Sequence, residues 1–458
     1  MVIHDLAKQA TNHQRLDAPV VSSALLQPGS SWSCSLRSIS GILGAVAALA
    51  FVTSLFYFSH YHDFYETDSQ TYIVPAANLL AGHGFTDADG YPETNRTPGY
   101  PLLILLFLRV NPDLKYLIVF QHLLRILIVL ATTAFAFHLS GSRRQALLTG
   151  ILLCIDLPML KFTNSILTET VFTALLAATL WLLWAESEVS PKSGMRPGAA
   201  GLLSGLSALV RPVSIFFFVP AAAYILLIRR GSGLRAALSF LLAFLVLPLA
   251  WASRNYHESG YFTVASISGF SMLEYRAAGA LAVNDPGDFE GNLEKRQKEL
   301  EAGACEGLTN MYRRDCSKIT IAQRADYYSH FGAHVVLHHP AAYLKLALRG
   351  GASMMLAGSA AIVSGLTGMN HGAAEKVVLM YTIPSFCLAI FGLMKWRAMN
   401  KAFFWLAALV ITYFVAISAG AETNSRFRVP IMPIYAVLIA TGMDAGIQRF
   451  IRRALPGE

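Results

Sequence analysis

The chain has 458 residues, 54% of them hydrophobic and 14% charged, with a formal net charge of +8. Soluble domains carry about 25% charged residues, so the composition excludes a soluble globular protein and indicates a polytopic membrane protein. The positive balance lacks Lys/Arg-aromatic interleaving and matches basic cytoplasmic loops, which argues against nucleic acid as a partner.

Residues 1–37 are polar and Ser-rich without helical periodicity, and read as a disordered tail. The first apolar block, 39–59, is long enough for a bilayer span, which needs about 20 residues. A polar, acidic, Gly/Pro-punctuated stretch follows over 60–108, carrying Asp63, Glu66, Asp68, Tyr72 and a lone Arg96 before Thr97-Pro98-Gly99-Tyr100-Pro101. Nine further spans are predicted at 114–139, 145–162, 165–186, 199–211, 213–229, 234–252, 377–395, 402–420 and 429–447, with the short pair inside 199–229 tilted or broken. Two apolar pieces are read as interfacial helices: 98–109 is too short to span, and 341–362 carries Lys345 and Arg349.

Lys and Arg pairs flank alternate ends of these spans, at Arg143-Arg144, Lys192 and Arg196, Arg229-Arg230, Lys395 and Arg397, and Arg449 with Arg452-Arg453. Putting them in the cytoplasm places both termini inside and 60–108 outside. The chain then divides into a cytoplasmic tail (1–37), an N-terminal membrane module (38–252) with the first outer loop at 60–110, a large outer loop (253–376), C-terminal spans (377–448) and a short tail (449–458). Cys305 and Cys316 share one polar loop of that outer region and are a disulfide candidate if the compartment is oxidising.

Ionisable groups in or beside apolar spans cost roughly 2.5–3.5 kcal/mol each on insertion scales. Asp68, Glu169 in ILTETVFTALL, Arg211 in LSALVRPVSIF, and Arg426 and Arg428 in ETNSRFRVPIMP therefore need a purpose. On this topology they gather at the outer boundary, where a lipid head group resides, rather than at the midplane favoured by transporters. Arginines suit a phosphate because the guanidinium fork takes two oxygens and stays charged. A nearby carboxylate can accept a proton from an attacking hydroxyl. No tight metal-ligand set, nucleophile elbow or P-loop is present, and no cofactor is required; Glu66 and Asp68 are the place for a loosely held divalent ion. His60, His62 and His83 read as interfacial histidines, and Tyr72 packs under Asp68 or faces a substrate.

The stretches DSQTYIVPAANLLAGHGF and NRTPGYPLLILLF resemble the first outer loop of family 39-like bacterial glycosyltransferases of the GT-C fold, which include lipid A aminoarabinose transferases and, more distantly, protein mannosyltransferases. DLPMLKFTNSILTETVF, GLLSGLSALVRP, PLAWASRNYHESGYF, HHPAAYLKLALR and RFRVPIMPIYAVL are similar to later family segments in the same order, covering roughly 40–445. The resemblance implies an all-α GT-C membrane enzyme of about ten spans. It would be an inverting transferase moving a hexosyl or pentosyl group from polyprenyl phosphate to a lipid, glycan or other envelope acceptor on the periplasmic face of a bacterial inner membrane. It assigns catalytic roles to Asp68 and Glu169, the acids of the first and second outer loops, and donor-phosphate contacts to Arg96 and Arg211; Arg426 is read beside them as a further donor-phosphate contact, and Tyr72, Arg254 and Arg428 as substrate contacts. Protein mannosyltransferases have an adjacent Asp-Glu pair where Asp68 is followed by Ser69, which favours a glycan or lipid acceptor over protein. The alternative reading is a transporter or flippase of lipid-linked intermediates that grips the same phosphate without chemistry.

Overall fold

The computed structural model describes residues 37–188, 195–229 and 231–454. The tail expected over 1–37 lies outside the described residues apart from position 37, as do Lys192, Arg230 and the last four positions. The chain divides into two units, Met1–Ser40 and Gly41–Glu458, and the architecture below is that of the second.

Among the described residues the chain is helical without a strand, and one isolated bridge joins Thr86 to Pro92. Seven helical stretches are long and apolar enough to cross a membrane: Ser40–His60 (α1), Lys115–Ser140, Gly233–Ser259, Pro340–Thr367, His371–Met399, Lys401–Ser418 and Ser425–Phe450. Most turn large apolar side chains outward, as α1 does with Phe51, Val52, Leu55 and Phe56, which suits a lipid environment. The chain is a multi-pass membrane protein. The last stretch behaves differently: 83% of it is buried, against 22% for α1, so it forms the core of the bundle rather than a lipid-facing support.

Four expected spans are shorter or broken, among them 165–186, whose apolar helix is Glu169–Ala185. The block 145–162 is two helices, Arg143–Cys154 and Leu157–Thr163, bent by 53°. Asp156 caps the second by accepting from Met159 N, and Pro158 follows inside its first turn. The carbonyls of Leu153 and Cys154, released at the break, accept from the fully buried Arg125 at 3.2 and 2.8 Å. Residues 199–229 form Met195–Val210, a 3-10 turn Pro212–Ser214 and Phe218–Ile228. Gly201 and Gly205 sit against the carbonyls of Phe240 and Phe244, so Met195–Val210 and Gly233–Ser259 pack backbone to backbone, as small residues allow in membranes. Gly392 and Gly442 do the same between His371–Met399 and Met432–Ala454.

Pro340–Thr367 meets the length and apolarity of a span, where the sequence predicts an interfacial helix. Its two charges are engaged by protein groups: Lys345 Nζ donates to Val283 O at 2.9 Å, and the Arg349 guanidinium lies 4.1 Å from the Phe289 ring centre. The region before it holds helices Phe289–Tyr312 and Ile321–His338, the latter opened by a Thr320/Gln323 capping box. Leu273, Ala304, Leu308, Ile319 and Tyr328 form a small apolar core there, and a disulfide joins Cys305 to Cys316.

Candidate active site

Asp68 ends the loop after α1, directly before helix Ser69–Leu80. The turn leading to it is pinned from both sides: Ser69 Oγ accepts from Glu66 N at 2.8 Å and donates to Ile166 O at 3.1 Å. The loop over 81–98 is folded on itself. Gly82, Gly84 and Gly90 take positive φ, and Asn78 Nδ2 donates to Thr86 and Asp87 carbonyls. The Glu93 carboxylate then accepts from Asn95 N and Arg96 N, which aims Arg96 back at helix Ser69–Leu80. Burial raises the Glu93 carboxyl above its ordinary range in spite of those two donors.

Gly99 opens the helix Gly99–Val110 against Leu209 O, where a Cβ would stand only 2.7 Å away. That close approach brings Arg96 to the turn bearing Arg211. Ser266 N donates to Thr94 O, and a few residues later Arg276 Nη2 donates to Ile417 O at 2.9 Å. The segment 266–277, partly π-helical, therefore ties the Arg96 loop to the residues preceding Arg426.

Five charged side chains converge. Arg96 Nη2 meets Asp68 Oδ1 at 2.8 Å, and Arg426 Nη1 meets Asp68 Oδ2 at 2.8 Å. Arg426 Nε and Arg211 Nη1 both reach Glu169 Oε1. Arg96 Nη1 also donates to the Tyr72 hydroxyl at 3.3 Å, and its guanidinium lies 4.9 Å from that ring's centre. Arg211 rests 5.3 Å from the centre of the Phe427 ring. The result is a chain of alternating charge, Arg96, Asp68, Arg426, Glu169, Arg211, with three cations against two anions.

The two carboxylates differ in access. Glu169 is fully buried at the first turn of helix Glu169–Glu188, and its Oε2 has no hydrogen-bond partner among the described residues. Asp68 keeps a third of its side-chain surface open. Burial opposes ionisation of Asp68, but Arg96 and Arg426 outweigh it and hold the carboxyl below its usual range. The Nη2 groups of Arg211 and Arg426 make no hydrogen bond among the described residues. The arrangement thus offers uncommitted guanidinium donors beside one accessible carboxylate, which is a setting for an anionic group and a proton acceptor.

Other expected site residues point elsewhere. Arg254 donates to the carbonyls of Glu93 at 2.6 Å and Phe85 at 3.1 Å, so it clamps the first loop from behind and its guanidinium is taken up by backbone. Arg428 is buried and pairs with Asp156 at 3.6 Å while donating to Met355 O, because its position turns it inward when Arg426 turns toward the site. Glu66 pairs with Lys161 at 3.2 Å, so it and Asp68, expected as a weak cation site, engage different partners. Among the described residues no group of three or more His, Cys, Asp or Glu could hold a metal ion. Sequence reasoning passed over Arg125 and Asp156, both carboxylate or guanidinium groups inside apolar runs, and Lys161.

No protein-family model and no curated protein matches this chain. A solved structure of the archaeal oligosaccharyltransferase AglB from Archaeoglobus fulgidus, in complex with an inhibitory peptide and a dolichol-phosphate, is similar with a TM-score of 0.51 at 12% identity. The match covers 93% of this chain and 53% of that one, so this chain spans about half the length of the structure it resembles. The likeness carries the fold: an all-helical, polytopic membrane protein of the GT-C type.

Proposed function

We propose that the chain is an inverting glycosyltransferase that moves a sugar from a polyprenyl-phosphate donor to a hydroxyl of a lipid, glycan or other cell-envelope acceptor at the outer membrane face. The observation that carries this reading is the Asp68–Arg426–Glu169–Arg211 chain, with Arg96 beside Asp68. Its excess cation and open Nη2 groups suit a phosphodiester, and its accessible carboxylate suits a hydroxyl. The bound dolichol-phosphate of the similar oligosaccharyltransferase is consistent with a lipid phosphate as donor.

In the proposed step the acceptor oxygen attacks the anomeric carbon as the bond from that carbon to the phosphate oxygen breaks. The hydroxyl proton passes to Asp68, and the polyprenyl phosphate leaves with the bonding pair. Arg96, Arg211 and Arg426 neutralise the charge developing on that leaving group. One displacement inverts the anomeric centre. Glu169 is a positioning residue, since a fully buried carboxylate can hold Arg211 and Arg426 but cannot meet the acceptor. In the absence of donor, Asp68 is a weak base because two guanidiniums hold its charge. A phosphate drawing Arg96 and Arg426 toward itself raises Asp68's basicity when it is needed.

The lipid tail has a place to go. An apolar cavity of about 260 Å³, lined by Leu127, Ala131, Phe135, Ala174, Trp181 and Ile434, lies between helices of the bundle. Ala174 is five residues from Glu169 in one helix, about 7.5 Å along its axis. Asp68→Asn in folded protein is expected to abolish sugar transfer while retaining donor binding; normal turnover of that variant sinks the mechanism.

A further inference from the structure

A second cavity, about 320 Å³, is lined by the turn that leads to Asp68, at Asp63 and Glu66. One wall is polar and aromatic, with Tyr57, Tyr61, Asp63, Glu66 and Lys161. The opposite wall is helix Ala360–Thr367, which contributes Ile362, Gly365 and Leu366. Its size is that of a small-molecule site, which begins near 300 Å³. The catalytic proposal assigns it no role.

We propose that this cavity is the acceptor subsite and takes a neutral, hydroxyl-rich saccharide carried on a lipid, rather than a phosphate. The proposal rests on the transferase reading above. Three observations carry it. The lining holds Asp63 and Glu66 with His60, His62 and Lys161 but no arginine, and Lys161 is already paired with Glu66, so the guanidinium clamp of the Asp68 cluster has no counterpart there. The Glu66–Lys161 pair at 3.2 Å sets a charged acceptor beside a charged donor, the combination that binds adjacent ring hydroxyls. Tyr61, backed by the buried Tyr57 with ring centres 4.6 Å apart, supplies aromatic surface for the sugar, and Ile362 and Leu366 supply an apolar wall for the first carbons of the lipid.

The position fits the chemistry. Glu66 faces the cavity and Asp68 faces the arginines. Two residues of chain extend at most about 7 Å, and Lys161 on the cavity wall precedes Phe162, whose ring centre lies 6.0 Å from the Arg426 guanidinium. One turn thus carries a carboxylate toward the arginine cluster and another toward the cavity.

Photolabelling of the full chain in lipid nanodiscs tests this. The probe is a glucosyl-diacylglycerol with a diazirine on the sugar, and the control is a phosphatidic acid bearing the same diazirine near its phosphate. The glycolipid is expected to label peptides within 57–66 and 361–366, with the control labelling them weakly. Gly365→Phe fills the cavity from a position where an added Cβ meets nothing within 4 Å, so the protein should still fold. It is expected to cut labelling about tenfold, as is Glu66→Gln through loss of a charge-assisted bond. Equal labelling by both lipids, or labelling unchanged in Gly365→Phe, overturns the proposal. Donor consumption by the native protein is measured in parallel: if it is absent while labelling persists, the transferase reading and the acceptor role fall, and the cavity stands as a saccharide site only.

Discussion

Replacing Arg426 by methionine removes the side chain that joins the two carboxylates, since its guanidinium reaches Asp68 Oδ2 at 2.8 Å and Glu169 Oε1 together. Breaking a buried pair from one side typically costs 3–5 kcal/mol, because it leaves an uncompensated charge. Glu169 is fully buried, but Arg211 stays on the same oxygen, so the low end, about 3 kcal/mol, is expected. Glu169→Gln leaves Arg211 without a carboxylate while Arg426 keeps Asp68, and a similar loss of about 3 kcal/mol follows. With both changes, the anion and one cation leave together, so the double variant should lose about 3 to 4 kcal/mol rather than 6. The coupling of about 2 to 3 kcal/mol lies at the upper end of what contacting residues display. Equilibrium unfolding of the four proteins in mixed micelles, followed by tryptophan fluorescence, measures it. Losses that add within about 0.5 kcal/mol would refute the claim that Arg426 and Glu169 act as one unit.

Arg211→Lys keeps the charge but loses the planar fork, and turnover of a polyprenyl-phosphate sugar is expected to fall by about 10²–10³, the cost of removing one donor to a developing anion; initial rates of polyprenyl phosphate release read this, and an unchanged rate contradicts the clamp. Gly99→Ala forces a Cβ to within 2.7 Å of Leu209 O. Overpacking of this kind costs about 1–3 kcal/mol, and a lowered melting temperature with reduced turnover is expected, whereas Gly365→Ala should match the native protein in the same melts. For Asp68, burial favours the protonated form but Arg96 and Arg426 prevail, so its folded pKa lies below the ordinary 3.8. The stabilisation is then complete above that value and is lost as pH falls through the folded pKa. Melts taken between about pH 6 and 3 should decline below about pH 4 more steeply in the native protein than in Asp68→Asn; parallel curves would contradict the pairing.

Asp68, Glu169, Arg211 and Arg426 were legible in the sequence because each is an ionisable group in or beside an apolar span, where it is costly without a partner, and Arg96 because it is the lone arginine of an acidic loop. Their direct contact was not legible, since it depends on Gly99 meeting Leu209 and on segment 266–277 tying two distant loops. The same reasoning singled out Arg428, and Arg254 was expected beside it as a substrate contact, but neither faces the cluster. Whether such an arginine turns to a carbonyl, to a buried Asp156 or to an open site is decided by packing. Arg125 in HLLRILIVL carries the same signal, and its partners arise where the bundle breaks before Pro158. That break was itself written in Asp156-Leu157-Pro158, a cap followed by proline. The burial of the last helix was hidden, because an apolar surface reads the same against lipid as against protein.

The central claim is chemical, and reconstituted vesicles test it most directly. Given a polyprenyl-phosphate sugar on the outer leaflet and a glycolipid acceptor, the native protein is expected to release free polyprenyl phosphate and form a product of inverted anomeric configuration, and Asp68→Asn to do neither. Donor that crosses the bilayer unmodified, with no polyprenyl phosphate released, would contradict the account and identify a flippase.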